Sequence, residues 1–523
     1  MTARFLISTA LAGAAMGMAT PALAACEDLA GFALENGSVT AAEVVPAGAF
    51  EQPGAGGINP GIGAGAYGDV PAFCRVQVHL TPSDDSDIRS EVWLPLDGWN
   101  GKYVGIGNGI WAGSISYSQM AEPIRRGYAT ASTDTGHTGN GLTAEWAVGH
   151  PERLVDFGHR AVHVTTVAAK ALVREFYGRG PDLSLWNSCS TGGRQGLMAA
   201  HRYPDDFDAI SAMAPANPMT DLMVQSMWAG WQPQRWGAAM SPQVLGLVHS
   251  AAVAQCDALD GVEDGVIGRP QQCTFDPERL MCRAGQSEGC LSTPQVRAVQ
   301  SIYRGTRGAD GTQLLPGWPI GSEMQLLALV MGQEPFPVAT SYFRDLVYGG
   351  NESFDWRATP YRQYLADGRA YGEDILNVPS DGLGAFFARG GKLLLSHGWN
   401  DGLIPATNTL AFYRGLYSAT PASQRDSQLR LFMAPGMDHC AGGEGPSSFD
   451  TLGVIDDWAT TGVAPTRILA TRPTEVGGFP GQPPAPPREP MRRPLCPYPL
   501  VETWDGVGDP MAADSFTCAM PET

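Results

Sequence analysis

Two short motifs, far apart in the chain, each place a cysteine beside a residue suited to catalysis. Cys189 directly precedes Ser190, and Cys440 directly follows His439. If Ser190 and His439 act as nucleophile and base, they must lie within hydrogen-bond reach in the fold. Their cysteine neighbours would then be close enough for a disulfide, which needs Cα atoms less than about 7 Å apart. The pattern therefore predicts a serine hydrolase whose catalytic halves are joined covalently.

The N-terminus is typical of an exported protein. Arg4 precedes an apolar stretch, and Ala22-Leu23-Ala24 is an A-x-A cleavage site, so residues 1–25 are predicted to be a signal peptide. The segment before Cys26 also resembles a bacterial lipobox, in which Cys26 would be lipidated. An even count of ten cysteines favours full pairing in an exported chain, and lipidation would leave one thiol over. We therefore predict a secreted or periplasmic protein, with lipoprotein anchoring at Cys26 as the alternative.

The charge balance narrows the possible partners. Lys and Arg number 34 and Asp and Glu number 53, a net charge of −19, which disfavours nucleic acid and anionic membranes. Beyond the N-terminal stretch we find no apolar run of the roughly 20 residues that a membrane span requires. The expected partner is a small molecule, and the sequence does not indicate an oligomeric state.

Short apolar runs, each ending in a glycine-rich or polar turn, recur along the chain. They lie at 102–105, 128–132, 183–187, 392–396 and 429–433. Such runs suit buried parallel strands, and helical patterns such as 155–177 and 194–202 lie between them. This alternation predicts a doubly wound α/β sheet, whose active site lies at the carboxyl ends of the strands.

One long segment breaks that rhythm. Residues 216–384 are rich in Trp, Met, Pro and Gly, and we predict that they form a single inserted lid domain. The predicted organisation is a signal peptide at 1–25, a first part of the α/β domain at 26–215, the lid at 216–384 and a second part at 385–523.

The region around Ser190 is close to a nucleophile elbow. Ser188 to Gly192 approximates the G-x-S-x-G pattern, with Ser188 in place of the first glycine, between a predicted strand and a predicted helix. Asp401 and His439 each follow a later predicted strand, which gives the order Ser, Asp, His of α/β-hydrolases. His439 is predicted to remove the Ser190 proton, and Asp401 to orient and stabilise the imidazolium.

An oxyanion hole needs preorganised backbone N–H donors. Thr191, the residue after the nucleophile, is predicted to supply one N–H, and Ile110 in the loop 107–110 the other. The alternative is that this loop is only a tight exit from its strand.

Taken together, these motifs resemble the tannase and feruloyl esterase family of α/β-hydrolases. The pairing of Cys-Ser with His-Cys is that family's signature, and further similar segments lie at 99–102, 189–196, 256–261, 390–392, 435–440 and 493–499. The resemblance implies an α/β-hydrolase fold with a large inserted lid, and a triad of Ser190, Asp401 and His439. It also implies the disulfides Cys189–Cys440, Cys26–Cys74, Cys256–Cys273, Cys282–Cys290 and Cys496–Cys518. Two departures are Ser188 in place of the common glycine and Ile110 in place of a second glycine, which alters the pocket wall.

A short acidic segment in the predicted lid suits a calcium ion. Asp257, Asp260 and Asp264 lie within eight residues, and hard oxygen ligands on a flexible turn favour Ca²⁺, although a solvated acidic turn would look the same. The family resemblance implies a structural Ca²⁺ site with these three side chains and backbone oxygens of Val262 and Val266.

We therefore predict an exported serine carboxylic-ester hydrolase acting on aromatic esters, such as gallates or ferulates. Trp228, Trp231 and Trp236 are candidates for an aromatic binding wall in the lid, with ordinary core packing as the alternative. The family also includes a mono(2-hydroxyethyl) terephthalate hydrolase, so a terephthalate monoester is a second option. A peptidase, or a catalytically silent, calcium-stabilised binding protein, would be rivals of a different kind.

Overall fold

The structure is a computed structural model that describes residues 25–53, 67–474 and 488–521. The predicted signal peptide, apart from Ala25, lies outside these residues. Within them, no helix is both long and apolar enough to cross a membrane.

Ten strands of the described chain form one mixed sheet, in the order β1-β2-β3-β4-β6-β5-β7-β8-β9-β10, and two short hairpins lie in the C-terminal part. The strands are β1 Ala33–Leu34, β2 Gly37–Val45, β3 Phe73–Leu80, β4 Ile88–Pro95, β5 Lys102–Gly105, β6 Ala129–Thr133, β7 Leu183–Cys189, β8 Ala209–Met213, β9 Lys392–Gly398, β10 Leu429–Ala434, β11 Ile468–Arg472, β12 Met491–Leu495, β13 Val501–Trp504 and β14 Phe516–Ala519.

Helices connect the strands of the parallel half and fill the long segment between β8 and β9. They are α1 Tyr117–Arg125, α2 Pro151–Val155, α3 Ala161–Tyr177, α4 Thr191–Arg202, α5 Met219–Trp236, α6 Pro242–Cys256, α7 Thr293–Arg304, α8 Leu327–Val330, α9 Pro337–Ser341, α10 Tyr361–Leu376, α11 Gly384–Ala388, α12 Ala406–Ala419, α13 Ala422–Gln428 and α14 Thr451–Thr461. Short turns of 3-10 helix lie at Cys26–Gly31, Glu145–Ala147, Asp257–Asp260, Pro277–Leu280, Glu323–Leu326 and Ala513–Ser515, and π-helical turns at Asp156–Arg160 and Tyr342–Val347.

The five apolar runs predicted as strands are strands β5, β6, β7, β9 and β10. They pair in parallel, together with β8, because each is followed by a helix that crosses back over the sheet. The first part of the chain adds antiparallel strands that the apolar runs did not indicate. Strands β1 to β4 pair antiparallel with one another, and β4 pairs antiparallel with β6. Alternating burial along β3 explains why no continuous apolar run marked it in the sequence.

Two apolar layers cover the faces of the sheet. Side chains of α3, α4 and α12 pack on one face, and those of α1 and α14 pack on the other. The chain order reverses beside β5, which lies between β6 and β7. In open α/β sheets, ligands bind at the carboxyl ends of the strands where the order reverses, which places a site at the loops after β5 and β7.

Between β8 and β9 lie helices α5 to α11, which we call the helical insertion (residues 214–391). Its apolar residues on α5, α9 and α10 form a cluster that also takes in Trp111, Phe157 and Ile404 from outside the insertion, and those on α6 and α7 form a second cluster within it. The longest helix of the insertion, α5, contributes Met219, Leu222 and Met223 to the packing near the sheet.

Candidate active site

Ser190 occupies a strained turn between a strand and a helix. Strand β7 ends at Cys189, helix α4 begins at Thr191, and Ser190 has φ 64° and ψ −128°. A positive φ is rare for a residue with a side chain and marks a functional constraint. A Cβ atom on Gly192 would collide with the Ser188 hydroxyl, so glycine at 192 makes room for the serine that replaces the first glycine of the elbow.

The structure brings the three predicted triad residues into one hydrogen-bonded chain. The Ser190 hydroxyl lies 3.0 Å from Nε2 of His439, and Nδ1 of His439 lies 2.7 Å from Oδ2 of Asp401. Asp401 follows β9, and His439 lies in the loop after β10, so the sheet itself sets these distances. This is the geometry in which a histidine can take the serine proton while a carboxylate fixes its tautomer.

Asp401 is fully buried and is held as a carboxylate by four donors. Its Oδ1 accepts the backbone N–H groups of Leu403 and Ile404 at 2.9 and 2.8 Å. Burial by itself raises the pKa of Asp401, but His439 and a second histidine, His397, together lower that pKa below its usual range. Asp401 therefore stays ionised and gives His439 a negatively charged partner.

His397 is a contact that the sequence reasoning did not identify. Its Nε2 lies 3.1 Å from Oδ2 of Asp401, and its Nδ1 lies 2.8 Å from the Thr409 hydroxyl. The available signal was its position near the end of β9, four residues before Asp401.

The cysteines beside Ser190 and His439 are bonded to each other. The Cα atoms of Cys189 and Cys440 are 5.9 Å apart, so the bridge ties the end of β7 to the loop after β10. The other four pairs implied by the family resemblance are also present: Cys26–Cys74, Cys256–Cys273, Cys282–Cys290 and Cys496–Cys518. Because Cys26 is bonded to Cys74, its sulfur is not available for the lipid that a lipoprotein anchor would require.

The loop after β5 reaches the nucleophile turn through its backbone. The Gly192 N–H donates to the Asn108 carbonyl at 2.8 Å, and the Thr191 hydroxyl donates to the Ile110 carbonyl at 2.7 Å. Ile110 has φ 49°, a conformation that glycine adopts more readily. In the described part of the chain, the N–H groups of Ile110 and Thr191 have no protein acceptor among the hydrogen bonds. Both predicted oxyanion donors thus remain free to bind a ligand oxygen.

A cavity of about 900 Å³ opens onto Ser190 and His439. One set of its lining residues is apolar: Ile110, Met213, Met219, Leu222, Met223, Phe336, Val338, Leu403 and Ile404. Another set is polar: Gln52, Ser116, Ser118, Gln119, Glu122, Thr138 and Asn140. Among the described residues that line it, Glu122 and His439 are the only ones with an ionisable acid or imidazole, and none is Lys or Arg.

The predicted tryptophan wall is wrong. Trp228, Trp231 and Trp236 do not line this cavity within the described chain. Trp228 is 5% exposed and its indole N–H donates to the Ser301 carbonyl, while Trp231 packs edge-on against Trp356 at 5.1 Å. These contacts lie toward the C-terminal half of α5, whereas its N-terminal half borders the cavity.

The predicted calcium ligands lie in the loop that follows α6, closed by Cys256–Cys273. Asp257 accepts backbone N–H groups of Asp264 and Gly265, and Asp260 accepts that of Val262. Burial and the neighbouring carboxylates raise the pKa of Asp260 to about 6. One oxygen of Asp264 pairs with Arg493. By a criterion of three or more converging His, Cys, Asp or Glu side chains, no metal site stands out among the described residues.

The model of the tannase and feruloyl esterase family matches residues 74–519 of the chain. An uncharacterized esterase from Xanthomonas campestris pv. campestris is 32% identical, over 98% of this chain and 94% of its own. A probable feruloyl esterase B-2 from Aspergillus flavus is 33% identical, over 76% of this chain and 80% of its own. The crystal structure of feruloyl esterase B from Aspergillus oryzae superposes with a TM-score of 0.81 at 30% identity, covering 94% of this chain and 99% of that one.

Proposed function

The chain belongs to the tannase and feruloyl esterase family of carboxylic ester hydrolases, and on that basis we propose a serine mechanism with an acyl-enzyme intermediate. The observation that carries the proposal is the unbroken hydrogen-bonded chain from Ser190 through His439 to Asp401. Among the described residues that line the cavity, no other hydroxyl group is hydrogen-bonded to a histidine.

In the first half-reaction, the Ser190 oxygen attacks the ester carbonyl and His439 takes its proton at Nε2. Asp401 stabilises the imidazolium that forms. The N–H groups of Ile110 and Thr191 bind the carbonyl oxygen as it becomes negative. The C–O bond to the alcohol then breaks, and the alcohol leaves with the proton held by His439.

In the second half-reaction, a water molecule takes the place of the alcohol. His439 removes a proton from it, and the resulting hydroxide attacks the acyl carbonyl. Collapse of this intermediate releases the carboxylic acid and returns the proton to Ser190. A fluorophosphonate probe tests the mechanism, because it should label Ser190 in the wild type and label nothing in Ser190→Ala.

The proposed substrates are neutral esters of phenolic acids, such as ferulates and gallates. The apolar lining gives an aromatic acyl group a wall of Met, Leu and Ile side chains, and the polar lining gives hydroxyl groups hydrogen-bond partners. A terephthalate monoester would bring a second carboxylate into a cavity whose described lining has no Lys or Arg. We therefore rank that substrate below the phenolic esters.

A matched pair of substrates tests this ranking. Dimethyl terephthalate and monomethyl terephthalate share a ring and an ester and differ in one negative charge. We expect kcat/KM to be at least tenfold higher for the neutral diester, and methyl ferulate and methyl gallate to be cleaved. Equal or faster cleavage of the charged monoester would contradict the proposal.

Export and calcium binding are two further proposals. Export through a signal peptide at residues 1–25 is supported by the five disulfides, which persist in oxidising compartments. N-terminal sequencing of the mature protein should place its first residue close to Cys26.

A structural Ca²⁺ held by Asp257, Asp260 and Asp264, with backbone oxygens of Val262 and Val266, is supported by the oxygen-rich donor set and by the raised pKa of Asp260.

A further inference from the structure

A second cleft lies on the helical insertion and shares no lining residue with the catalytic cavity. Its volume is about 760 Å³. The C-terminal half of α5, the end of α7 with the loop after it, and the segment just before α10 form its walls. Helix α5 therefore borders the catalytic cavity at one end and this cleft at the other.

The cleft concentrates positive charge in an acidic protein. Four arginines line it, Arg235, Arg304, Arg307 and Arg357, and no Asp or Glu is among its described lining residues. The whole chain carries a net charge of −19. Four guanidinium groups gathered in one concavity create a positive potential that attracts anions.

These arginines are largely unpaired. Within the described chain, Arg235, Arg304 and Arg307 form no ion pair, and Arg357 has only a loose contact with Asp355 at 3.9 Å. An adjacent acid, Asp310, is already paired with Arg362. Arg307 donates one N–H to the Gly311 carbonyl at 2.8 Å. In the part of the chain that the structure describes, the Arg235 and Arg304 guanidinium groups donate to no protein acceptor, so their donors are available to a ligand.

Four aromatic residues also line the cleft: Trp228, Trp231, Trp356 and Tyr361. Trp231 packs edge-on against Trp356, and Trp228 packs edge-on against Tyr361, with ring centroids 5.1 and 4.9 Å apart. Trp356 is 5% exposed, its indole N–H has no acceptor in the described part of the chain, and the Arg357 guanidinium stacks 4.0 Å from its ring. Trp231 and Tyr361 are partly exposed and give the cleft apolar ring surface in addition to charge, whereas Trp228 and Trp356 are buried.

We propose that this cleft binds an acidic oligosaccharide, that is, a chain of sugar rings bearing carboxylates. Each guanidinium can bind a carboxylate with two parallel hydrogen bonds, so four arginines match a ligand with several carboxylates rather than one. The C–H faces of sugar rings carry a small positive charge and pack on the negative faces of aromatic rings. A single phenolic acid offers only one carboxylate and leaves most of these cations unused.

Such a site would hold a polymeric substrate on the enzyme. Esters attached to a bound polysaccharide would reach the catalytic cavity at a raised effective concentration, with no change at the cavity itself. The binding proposal rests on the cleft alone and does not depend on which ester is cleaved.

Calorimetric titration of the wild-type protein with hexagalacturonic acid tests the proposal. We expect saturable binding that weakens as salt is raised, because the contacts are ionic and partly exposed. The double variant Arg235→Gln/Arg304→Gln should bind at least tenfold more weakly. Arg174→Gln removes the same kind of exposed charge from α3, outside the cleft, and should bind within twofold of the wild type.

Two comparison ligands define the outcomes that overturn the proposal. Equal binding of xylohexaose, which is neutral, would show that charge is not recognised. Equal binding of ferulic acid, with the same loss in the double variant, would show a site for a single aromatic acid. No binding of hexagalacturonic acid, or equal losses in the double variant and in Arg174→Gln, would also overturn it.

A catalytic readout separates this proposal from the proposed function. The double variant should keep the wild-type kcat/KM on methyl ferulate, which also verifies its fold. Its KM on a feruloylated acidic polysaccharide should rise. If methyl ferulate were not cleaved by any form of the protein, the proposed function would fail while the binding result stood.

Discussion

Asp401 in the catalytic centre and Asp260 in the acidic loop of the insertion are both buried carboxylates near a disulfide, but their pKa values shift in opposite directions. Asp401 is surrounded by donors, and His439 and His397 outweigh its burial and lower its pKa. Burial is the main cause that raises the pKa of Asp260 to about 6, and the carboxylates of Asp264 and Asp257 add to it, against the Val262 N–H and Arg269. The protein's own groups thus hold Asp401 as a carboxylate, whereas in the described chain Asp264 is paired with Arg493 and Asp260 forms no ion pair. If a cation binds the acidic loop, it should lower the pKa of Asp260.

The disulfides near these two carboxylates differ in the length of chain that they close. Cys189–Cys440 joins the end of β7 to the loop after β10 across 251 positions, while Cys256–Cys273 joins residues 17 positions apart. In the chain-entropy model, the long closure stabilises by about 5 kcal/mol and the short one by about 3 kcal/mol. The long bridge therefore constrains the tertiary fold, and the short one constrains only a local turn.

The largest effect is expected from removing the nucleophile. Ser190→Ala should lower kcat on methyl ferulate by roughly five orders of magnitude, because Ser190 is the hydroxyl that His439 can activate within the described cavity lining. Circular dichroism should match the wild type. Retention of more than a few per cent of activity in the folded variant would place the nucleophile elsewhere.

Asp401→Asn tests whether the ionised carboxylate is what completes the catalytic centre. The amide cannot stabilise the imidazolium and favours the wrong tautomer of His439, so kcat should fall by about 10³–10⁴-fold. Steady-state kinetics with pure protein measure this. Near-normal turnover would remove Asp401 from the triad and would show that its ionised state is not needed for catalysis.

Breaking the long disulfide separates its catalytic role from its stabilising role. In the double variant Cys189→Ala/Cys440→Ala, the Ser190–His439 distance is no longer fixed covalently, and displacement by about 1 Å can cost about a hundredfold in rate. We expect kcat to fall by about that factor. The control is Cys282→Ala/Cys290→Ala, which removes a local bridge and should leave kcat unchanged. Wild-type kcat in the first variant would mean that the bridge serves stability alone.

Chelation tests whether the acidic loop binds a calcium ion. Excess chelator should lower the melting temperature by a few degrees while kcat at mild temperature stays near normal, because calcium at a hundredfold above its Kd would stabilise by about 3 kcal/mol. Asp260→Asn should abolish this sensitivity, and Glu263→Gln, an exposed residue of the same loop outside the predicted ligand set, should keep it. No calcium by elemental analysis, with an unchanged melting temperature, would contradict the site.

A smaller effect is expected at the contact between the insertion and the loop that carries His439. His249 of α6 lies 2.8 Å from Glu323 and 2.8 Å from Glu444. Burial lowers its pKa, but hydrogen bonds to Glu323 and Glu444 outweigh this and raise the pKa to about 10. Tyr303 donates to Glu323, and Arg488 lies 3.7 Å from Glu444.

Because the folded pKa of His249 is raised, its stabilisation is complete below pH 6.5 and is lost as pH rises toward 10. His249→Gln should lower the free energy of unfolding by about 2 kcal/mol at pH 6 and by much less at pH 10. Denaturant titrations at the two pH values measure this, with His79→Gln as a more exposed control. A loss of equal size at both values would show that packing, and not charge, is what the residue supplies.

The predictable parts of the fold were those with a strong local pattern. Strands β5, β6, β7, β9 and β10 were visible because buried parallel strands are continuous apolar runs. The antiparallel strands β2 and β3 were missed because they are buried on one face and polar on the other. The tryptophans of α5 were misplaced, since sequence shows that a helix is apolar and does not show which end faces the cavity.

The sequence by itself predicted the candidate triad Ser190, Asp401 and His439 and the pairing of the cysteines beside the first and last of these, and it determined the family to which the motifs point. Each of these depends on residue type and local spacing, which the sequence records directly. Only the tertiary structure decided that His397 also holds Asp401, that the described lining of the cavity has no basic side chain besides His439, and that four arginines meet in a cleft of the insertion. These features join residues that are distant in the chain, and their distances are set by how the sheet and helices pack rather than by any local pattern.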